Sequence, residues 1–374
     1  MQKIETINLQ KLKDEFDRLK VKTTKVINKE YVEIPTGAKS KVTLFLGANT
    51  KSGERTKILQ NLANKLSKYG AKFQSGGDKP KSGAGWICFA NSKLYIVAKI
   101  VGKVNKGISF EQNLENDLNN LKNGITEYNH PDFIDEFEKK YLKGGIIEGV
   151  ENTGKKNTPR PLKLQNNKLY VSVRGGSRTE DIGSSVADLI VKSSNKGNNF
   201  NLSLKYGSTV TFFNSGIQTV MTAQDFKNGS FSDPIAQALL KLFSIDVEQF
   251  VGVFTGYSGT TLGGKKIKAT KQTETVEINV DDLQDFIKTV IGKGYLLVHL
   301  DNKKSVHITE VNTSFLNDAS KPLSNKIEIK YPVGGSAKRI DIHVETSKFY
   351  LNFNIRNKQG GIYPSHIMCD YKMK

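Results

Sequence analysis

The sequence predicts an α/β (α+β) protein: a central mixed β-sheet flanked by helices, a small N-terminal α+β module and a strand-rich C-terminal part. Three observations predict it. Apolar residues recur at helical spacing in several separate segments. Runs that alternate with period two lie between those segments, bounded by glycine- and asparagine-rich breakers. Strand patterns then dominate the last third of the chain. With 374 residues the length suggests about two domains. Hydrophobic residues at 37% and charged residues at 25% are enough for a sizeable core and exclude a disordered chain.

Taken in order, residues 1–35 form an N-terminal helical segment. Ile4, Ile7, Leu9, Leu12, Phe16 and Leu19 give residues 4–20 one apolar stripe. Residues 36–106 form the small α+β module. KVTLFLG (41–47) reads as a strand, and Ile58, Leu59, Leu62, Leu66 and Tyr69 make a helix stopped by Gly70. QSGGDKPKSGAG (74–85) is a loop, and 86–90 with 94–101 is a hairpin. Residues 107–374 make the large domain with insertions. Phe110, Leu114, Leu118 and Leu121 mark a helix over 107–124, with Ser109 as N-cap and Gln112 three residues on. A further helix and a β segment fill 125–150. Residues 151–168 are polar, basic and rich in breakers, which predicts a surface loop. Strands follow at 169–173, 188–192 and 200–206, with turns at 174–178 and 195–199. Helices are predicted over 234–243 and 281–291. Strands are predicted over 295–311, 326–330, 339–345 and 348–356.

Charge supplies the first functional signal. Lys and Arg number 56 against 37 Asp and Glu, a formal net charge of +19. A protein this basic attracts polyanions, because displacing counterions from a phosphate backbone favours binding. Cys88 and Cys369 are the only cysteines and fit neither a disulfide framework nor a zinc spacing. Residues 1–16 lack the apolar core of a signal peptide, and no run approaches the ~20 apolar residues that span a bilayer. The expectation is a soluble cytoplasmic protein with no membrane partner, or, in a viral setting, one delivered to a host-cell nucleic-acid compartment. No GxxxxGK[ST] phosphate loop and no HExxH occurs, and the five histidines are scattered.

Phosphodiester hydrolysis needs acidic oxygens to hold a hard cation, and a positive group near the attacking water or the phosphate. Two paired strands can supply both. Residues i and i+2 of a strand share a face, so an aspartate at the start of one strand converges with residues two apart on the next. Here Asp188 opens one strand. Ser203 and Lys205 stand two apart on the following one, opposite in facing to Leu202 and Leu204.

These pieces, VADLIV (186–191) and NLSLKYGS (201–208), resemble the PD-(D/E)XK (restriction-endonuclease-like) nuclease superfamily. The resemblance covers residues 107–215 at most. It implies an upstream helix glutamate, which ISFEQNLENDL supplies as Glu111 after Phe110, with Glu115 one turn further on as a reserve. It implies a Mg²⁺-dependent deoxyribonuclease, with Mn²⁺ as substitute, of phage, mobile-element or restriction type. The implied metal ligands are Glu111, Asp188 and the main-chain carbonyl of Leu204; the implied catalytic set is Glu111, Asp188, Ser203 and Lys205. The sequence departs from the family in carrying Ser203 where a second carboxylate is usual, and Val186-Ala187 before the aspartate.

Nucleic-acid contacts, with double-stranded DNA as the expected partner, are assigned to Arg174 and Arg178 of RGGSR and to Asn214 of GSTVTFFNSG. Arg356, Asn357, Lys358 and Gln359, at the end of a C-terminal strand, join them, since Arg, Asn and Gln suit phosphates and base edges. A homodimer is compatible with the sequence. The second reading, from another class, is a non-catalytic basic nucleic-acid-binding or virus-structural protein, which the serine at 203 keeps open.

Overall fold

The computed structural model describes residues 41–46, 52–67, 70–74, 85–89, 95–100, 106–153, 160–173, 176–195, 199–207, 210–258, 261–262, 265–266, 269–301, 305–332, 339–357 and 363–374. The expected helix at 4–20 lies outside them. The chain divides into two compact units: Met1–Val104 with Gln359–Gly361, and Asn105–Lys358 with Ile362–Lys374.

The first unit holds a four-stranded sheet of β1 (Lys41–Leu46), β2 (Ala71–Gln74), β3 (Trp86–Phe89) and β4 (Tyr95–Ile100), in the order β1-β4-β3-β2. Helix α1 (Ser52–Lys65) packs on it through Leu59, Leu62 and Ala63, all buried.

The second unit is mixed α/β. It opens with α2 (Lys106–Lys122), α3 (Pro131–Phe137) and β5 (Ile147–Asn152). The hairpin β6 (Leu162–Gln165) and β7 (Lys168–Val171) follows. Next come the short α4 (Gly183–Val186), β8 (Leu189–Ser193), β9 (Asn199–Tyr206) and β10 (Val210–Gly216). Helices α5 (Ala223–Asn228), α6 (Pro234–Leu242) and α7 (Val247–Ser258) lead through the short strands β11 (Thr261–Leu262) and β12 (Lys265–Lys266) to β13 (Thr273–Glu277) and α8 (Val280–Ile291). The chain ends with β14 (Tyr295–Leu300), β15 (Val306–Val311), α9 (Thr313–Ser320), β16 (Lys326–Lys330), β17 (Arg339–Glu345), β18 (Phe349–Arg356) and β19 (His366–Met373).

Two sheets organise this unit. A five-stranded mixed sheet runs β15-β14-β9-β8-β5, with β9 parallel to β14 and the other pairs antiparallel. A six-stranded antiparallel sheet runs β10-β19-β18-β17-β16-β13. The five-stranded sheet is apolar on both faces, as β14 shows. Leu296, Val298 and Leu300 enter one core with Phe110, Leu114 and Leu118 of α2, while Tyr295 and Leu297 enter a larger core with Leu283, Phe286 and Val290 of α8. The larger core also fills the inner face of the six-stranded sheet through Phe349, Leu351, Phe353 and Ile355.

Local signals place the helices. Asp233 caps α6 by accepting from the Ile235 and Ala236 amides, with Pro234 at the first helical position, where its missing N–H is harmless. Asn279 caps α8 by accepting from the Asp282 amide, and Gly292 ends it at φ 64°.

Two expectations need correction. The described part of 151–168 is not a surface loop: β5 runs on to Asn152, Arg160 and Leu162 are buried, and β6 and β7 form a hairpin, while 154–159 lie outside the described residues. Its two-residue turn, Asn166-Asn167, holds φ of 50° and 60°, the left-handed turn asparagine tolerates. Polarity there serves the turn and the outer edge, not an unpaired segment. Ser109 is not an N-cap either; α2 begins at Lys106, so Ser109 lies within its first turn.

Candidate functional site

The site is built at one end of the five-stranded sheet. Strands β8 and β9 pair Leu189 with Leu202. Leu189 and Leu202 face the α2 core, and Leu204 packs against it. Ser203 and Lys205 take the opposite facing, in register with Leu297 and His299 of β14. Ser203 is buried, at 2% exposed, and Lys205 is half-buried.

Asp188 stands one residue before β8. Its main-chain N–H donates to the Leu202 carbonyl at 2.8 Å, and its carbonyl accepts from the Thr153 amide at 2.9 Å. The carboxylate Oδ2 accepts from the Leu204 N–H at 2.7 Å. The aspartate is thereby clamped over β9 at the residue between Ser203 and Lys205. What the structure shows for Leu204 is thus its N–H, donating to Asp188.

The segment before Asp188 is held by close packing. Gly183 lies against the backbone of Gly294: an added Cβ would meet the Gly294 oxygen at 1.9 Å. The Asn201 side chain donates to the same carbonyl at 3.0 Å, and the Thr153 hydroxyl donates to the Ala187 carbonyl. Only glycine at 183 allows that approach.

Glu111 stands on helix α2. Burial raises its carboxyl pKa above the usual value, and the negative charges of Asp188 and Glu115 push the same way, while a hydrogen bond from Asn152 opposes them. Burial lowers the pKa of Lys205; Asp188 counters by favouring the ammonium form, and Arg160 adds to the lowering. Asp188 is thus electrostatically coupled both to the helix carboxylate and to the strand ammonium.

Sequence reasoning missed two members of this neighbourhood. Arg160 is 7% exposed and donates from Nη1 to the Val290 carbonyl at 3.1 Å and from Nη2 to the Thr289 carbonyl, capping the end of α8. Its Nε has no partner, and burial lowers its pKa to about 10. Asn152 ends β5, paired in register with Leu189, and its Nδ2 donates to Glu115 Oε2 at 2.7 Å. Neither residue carries a motif; both arrive through long-range packing.

The assigned nucleic-acid residues are dispersed. Arg178 ion-pairs with Asp285 at 3.9 Å and lies over the Tyr170 ring. Asn214 is exposed on β10. Arg356 ends β18 half-buried, with Nη2 2.9 Å from the Met368 sulfur, and the Asn357 side chain donates to the Tyr363 carbonyl. Arg174, Lys358 and Gln359 lie outside the described residues.

Among the described residues no group of three or more His, Cys, Asp and Glu side chains is placed to hold a metal ion. Magnesium demands less, since one or two carboxylates with water and substrate phosphates complete its shell. Asp188 and Glu111 are the two hard-oxygen donors available for such a shell, and their charges repel. Among the described residues, no helix is long and apolar enough to cross a membrane. Comparison of the chain with protein-family models, with curated proteins and with solved structures finds no match.

Proposed function

We propose that the chain is a Mg²⁺-dependent endonuclease hydrolysing phosphodiester bonds of DNA. The observation that carries this reading is the position of Asp188, whose carboxylate accepts at 2.7 Å from the N–H of Leu204, the residue between Ser203 and Lys205 on the paired strand. Asp188 and Glu111 would hold the cation, with the Leu204 carbonyl as a further oxygen. The cation supplies Lewis-acid polarisation of the phosphate and a nucleophile at neutral pH. Lys205 orients the attacking water and offsets charge developing on the phosphate. Ser203 contributes a hydroxyl beside it. The net charge of +19 supplies long-range attraction for the polyanion.

Nicking of supercoiled plasmid with and without Mg²⁺ tests the reading. Cleavage that requires Mg²⁺ and is lost in Asp188→Ala and Lys205→Ala supports it; cleavage that survives in both variants removes the mechanism. Single-stranded RNA in the same assay reads substrate class.

The serine at 203 favours a second reading, a non-catalytic nucleic-acid-binding or virus-structural protein on this fold. Salt-dependent DNA binding without cleavage under any divalent cation selects it.

A further inference from the structure

On the outer face of the six-stranded sheet, β18 sets Tyr350, Asn352, Asn354 and Arg356 in one stripe, alternating with Phe349, Leu351, Phe353 and Ile355 in the core. Each step along the stripe measures about 7 Å. The amide orientations are fixed. A carboxylate only accepts, so Asn352 turns its NH₂ to Asp341 Oδ1 at 3.1 Å and Asn354 turns its own to Asp370 Oδ2 at 3.0 Å. The two amide oxygens therefore point away from these acids, and neither has a hydrogen-bond partner. Arg356 Nε has none either, nor has His343 Nε2, in register with Asn352 on β17. Unpaired buried polar atoms are costly, and four of them on two adjacent strands mark a face built for a partner.

His343 and Tyr350 line a cavity of about 400 Å³ with Leu323, Ser324 and Lys326, a size that suits a small ligand group. Its rim is apolar and open: Tyr350 is 52% exposed and Leu323 58%. Burial lowers the His343 pKa, and Lys330 pushes the same way, so a neutral ring faces the cavity. The acids around it are already paired, Glu345 with Lys374 at 2.7 Å, Glu328 with Lys330 at 3.1 Å and Asp341 with Arg339 at 2.8 Å. Arg356 and Lys372 have no acidic partner among the described residues, so the surplus charge of this face is positive. An exposed aromatic ring, neutral hydrogen-bonding groups behind it and a cation further along the strand suit a base and its backbone. A duplex keeps its bases stacked inside; only an unpaired base can leave the stack and lie on such a ring.

We propose that this cavity receives an unpaired base of a single-stranded nucleic acid, stacked on Tyr350 and hydrogen-bonded to His343, with the strand running on along Asn352, Asn354 and Arg356. The inference rests on the nucleic-acid partner in the reading above and not on its hydrolytic chemistry.

The test is fluorescence anisotropy of the full chain in EDTA, with a labelled mixed-sequence DNA single strand, its RNA counterpart and duplex DNA of the same length. Tyr350→Ala should weaken single-strand binding about tenfold, the scale of losing one base–aromatic stack, and leave duplex binding unchanged. Tyr350→Phe should retain the affinity, because the ring and not the hydroxyl stacks. His343→Leu should weaken it in the same direction. The DNA and RNA arms read which sugar the site takes. Wild-type single-strand affinity in both Tyr350→Ala and His343→Leu overturns the inference while leaving the nuclease reading standing, and so does an equal loss on duplex. Tyr350-dependent single-strand binding by a chain that never cleaves under Mg²⁺ overturns the nuclease reading and keeps the inference. A wild-type chain that binds no nucleic acid overturns both.

Discussion

The two sheets of the larger unit use acidic residues in opposite ways. In the six-stranded sheet Asp341 and Asp370 each accept from a neighbouring strand. Arg339 Nε meets Asp341 Oδ2 at 2.8 Å, and Asn352 donates to Asp341 Oδ1 at 3.1 Å. Asn354 donates to Asp370 Oδ2 at 3.0 Å, and Thr211 donates to Oδ1 at 2.6 Å. Arg339 is on the same strand as Asp341, two residues away; the other three contacts run between adjacent strands, and together they quench the carboxylates. At the end of the five-stranded sheet the acids also have donors, the Leu204 N–H to Asp188 and the Asn152 amide to Glu115, but their charges repel one another as well. Burial raises the Glu111 pKa, and the charges of Asp188 and Glu115 push the same way. Carboxylates that repel one another are a candidate functional place with a stated physical reason, whereas charges paired on a sheet face need nothing more.

The contrast is broken most decisively by activity. Asp188→Asn and Lys205→Met should each lower Mg²⁺-dependent nicking by about 10²–10³-fold or more, the effect of removing one preorganised charge-stabilising group. Asp370→Asn should leave it unaltered. Equal losses in all three, measured as initial nicking rates, would erase the distinction between the sheets.

Stability should treat the sheets alike, because both rest on apolar cores. Phe353→Ala on β18 and Leu202→Ala on β9 each empty a fully buried position. Losses of about 3–5 and 2–5 kcal/mol are expected in urea unfolding. A Leu202→Ala change that is nearly neutral would mean the five-stranded sheet is not the packed platform described here.

Gly183→Ala sharpens the site side of the comparison. Its new Cβ would lie 1.9 Å from the Gly294 oxygen, so backbone must shift. A stability loss of about 1–3 kcal/mol is expected, as for overpacking. Displacement of Asp188 by about 1 Å should then slow cleavage by ~10²-fold. Unchanged nicking with reduced stability would show that α4 does not position the aspartate.

The smallest effect carries a sign that separates the two kinds of acid. Glu111 has its folded pKa raised, chiefly by burial, so its ionised form is disfavoured in the folded state. That penalty is present above the folded pKa and vanishes as pH falls through it. Glu111→Gln should therefore raise the unfolding midpoint of the metal-free chain at pH 7 while abolishing nicking. The gap to wild type should close as the pH is lowered. A midpoint that drops at pH 7 would place Glu111 among the quenched acids.

Much of this was legible in local pattern. The period-two alternation of NLSLKY put Ser203 and Lys205 on one face opposite Leu202 and Leu204, and the short turn before it paired the strand with the one Asp188 precedes. The stripe of Phe110, Leu114 and Leu118 gave helix α2 its buried face. Ser109 misled because a good capping residue is also tolerated inside a first turn. Residues 151–168 misled because breakers describe a tight hairpin as well as a loop. Arg160 and Asn152 carried no local signal at all.

Composition and short-range periodicity thus set which segments are helix or strand and which side chains share a face, since those depend on residues a few positions apart. That Asp188 accepts from the Leu204 N–H, that Asn152 reaches Glu115 and that Arg160 closes the end of α8 are consequences of how distant elements pack. The burial of apolar faces between sheet and helices brings such residues together, and no pattern within a single segment encodes where two segments will meet.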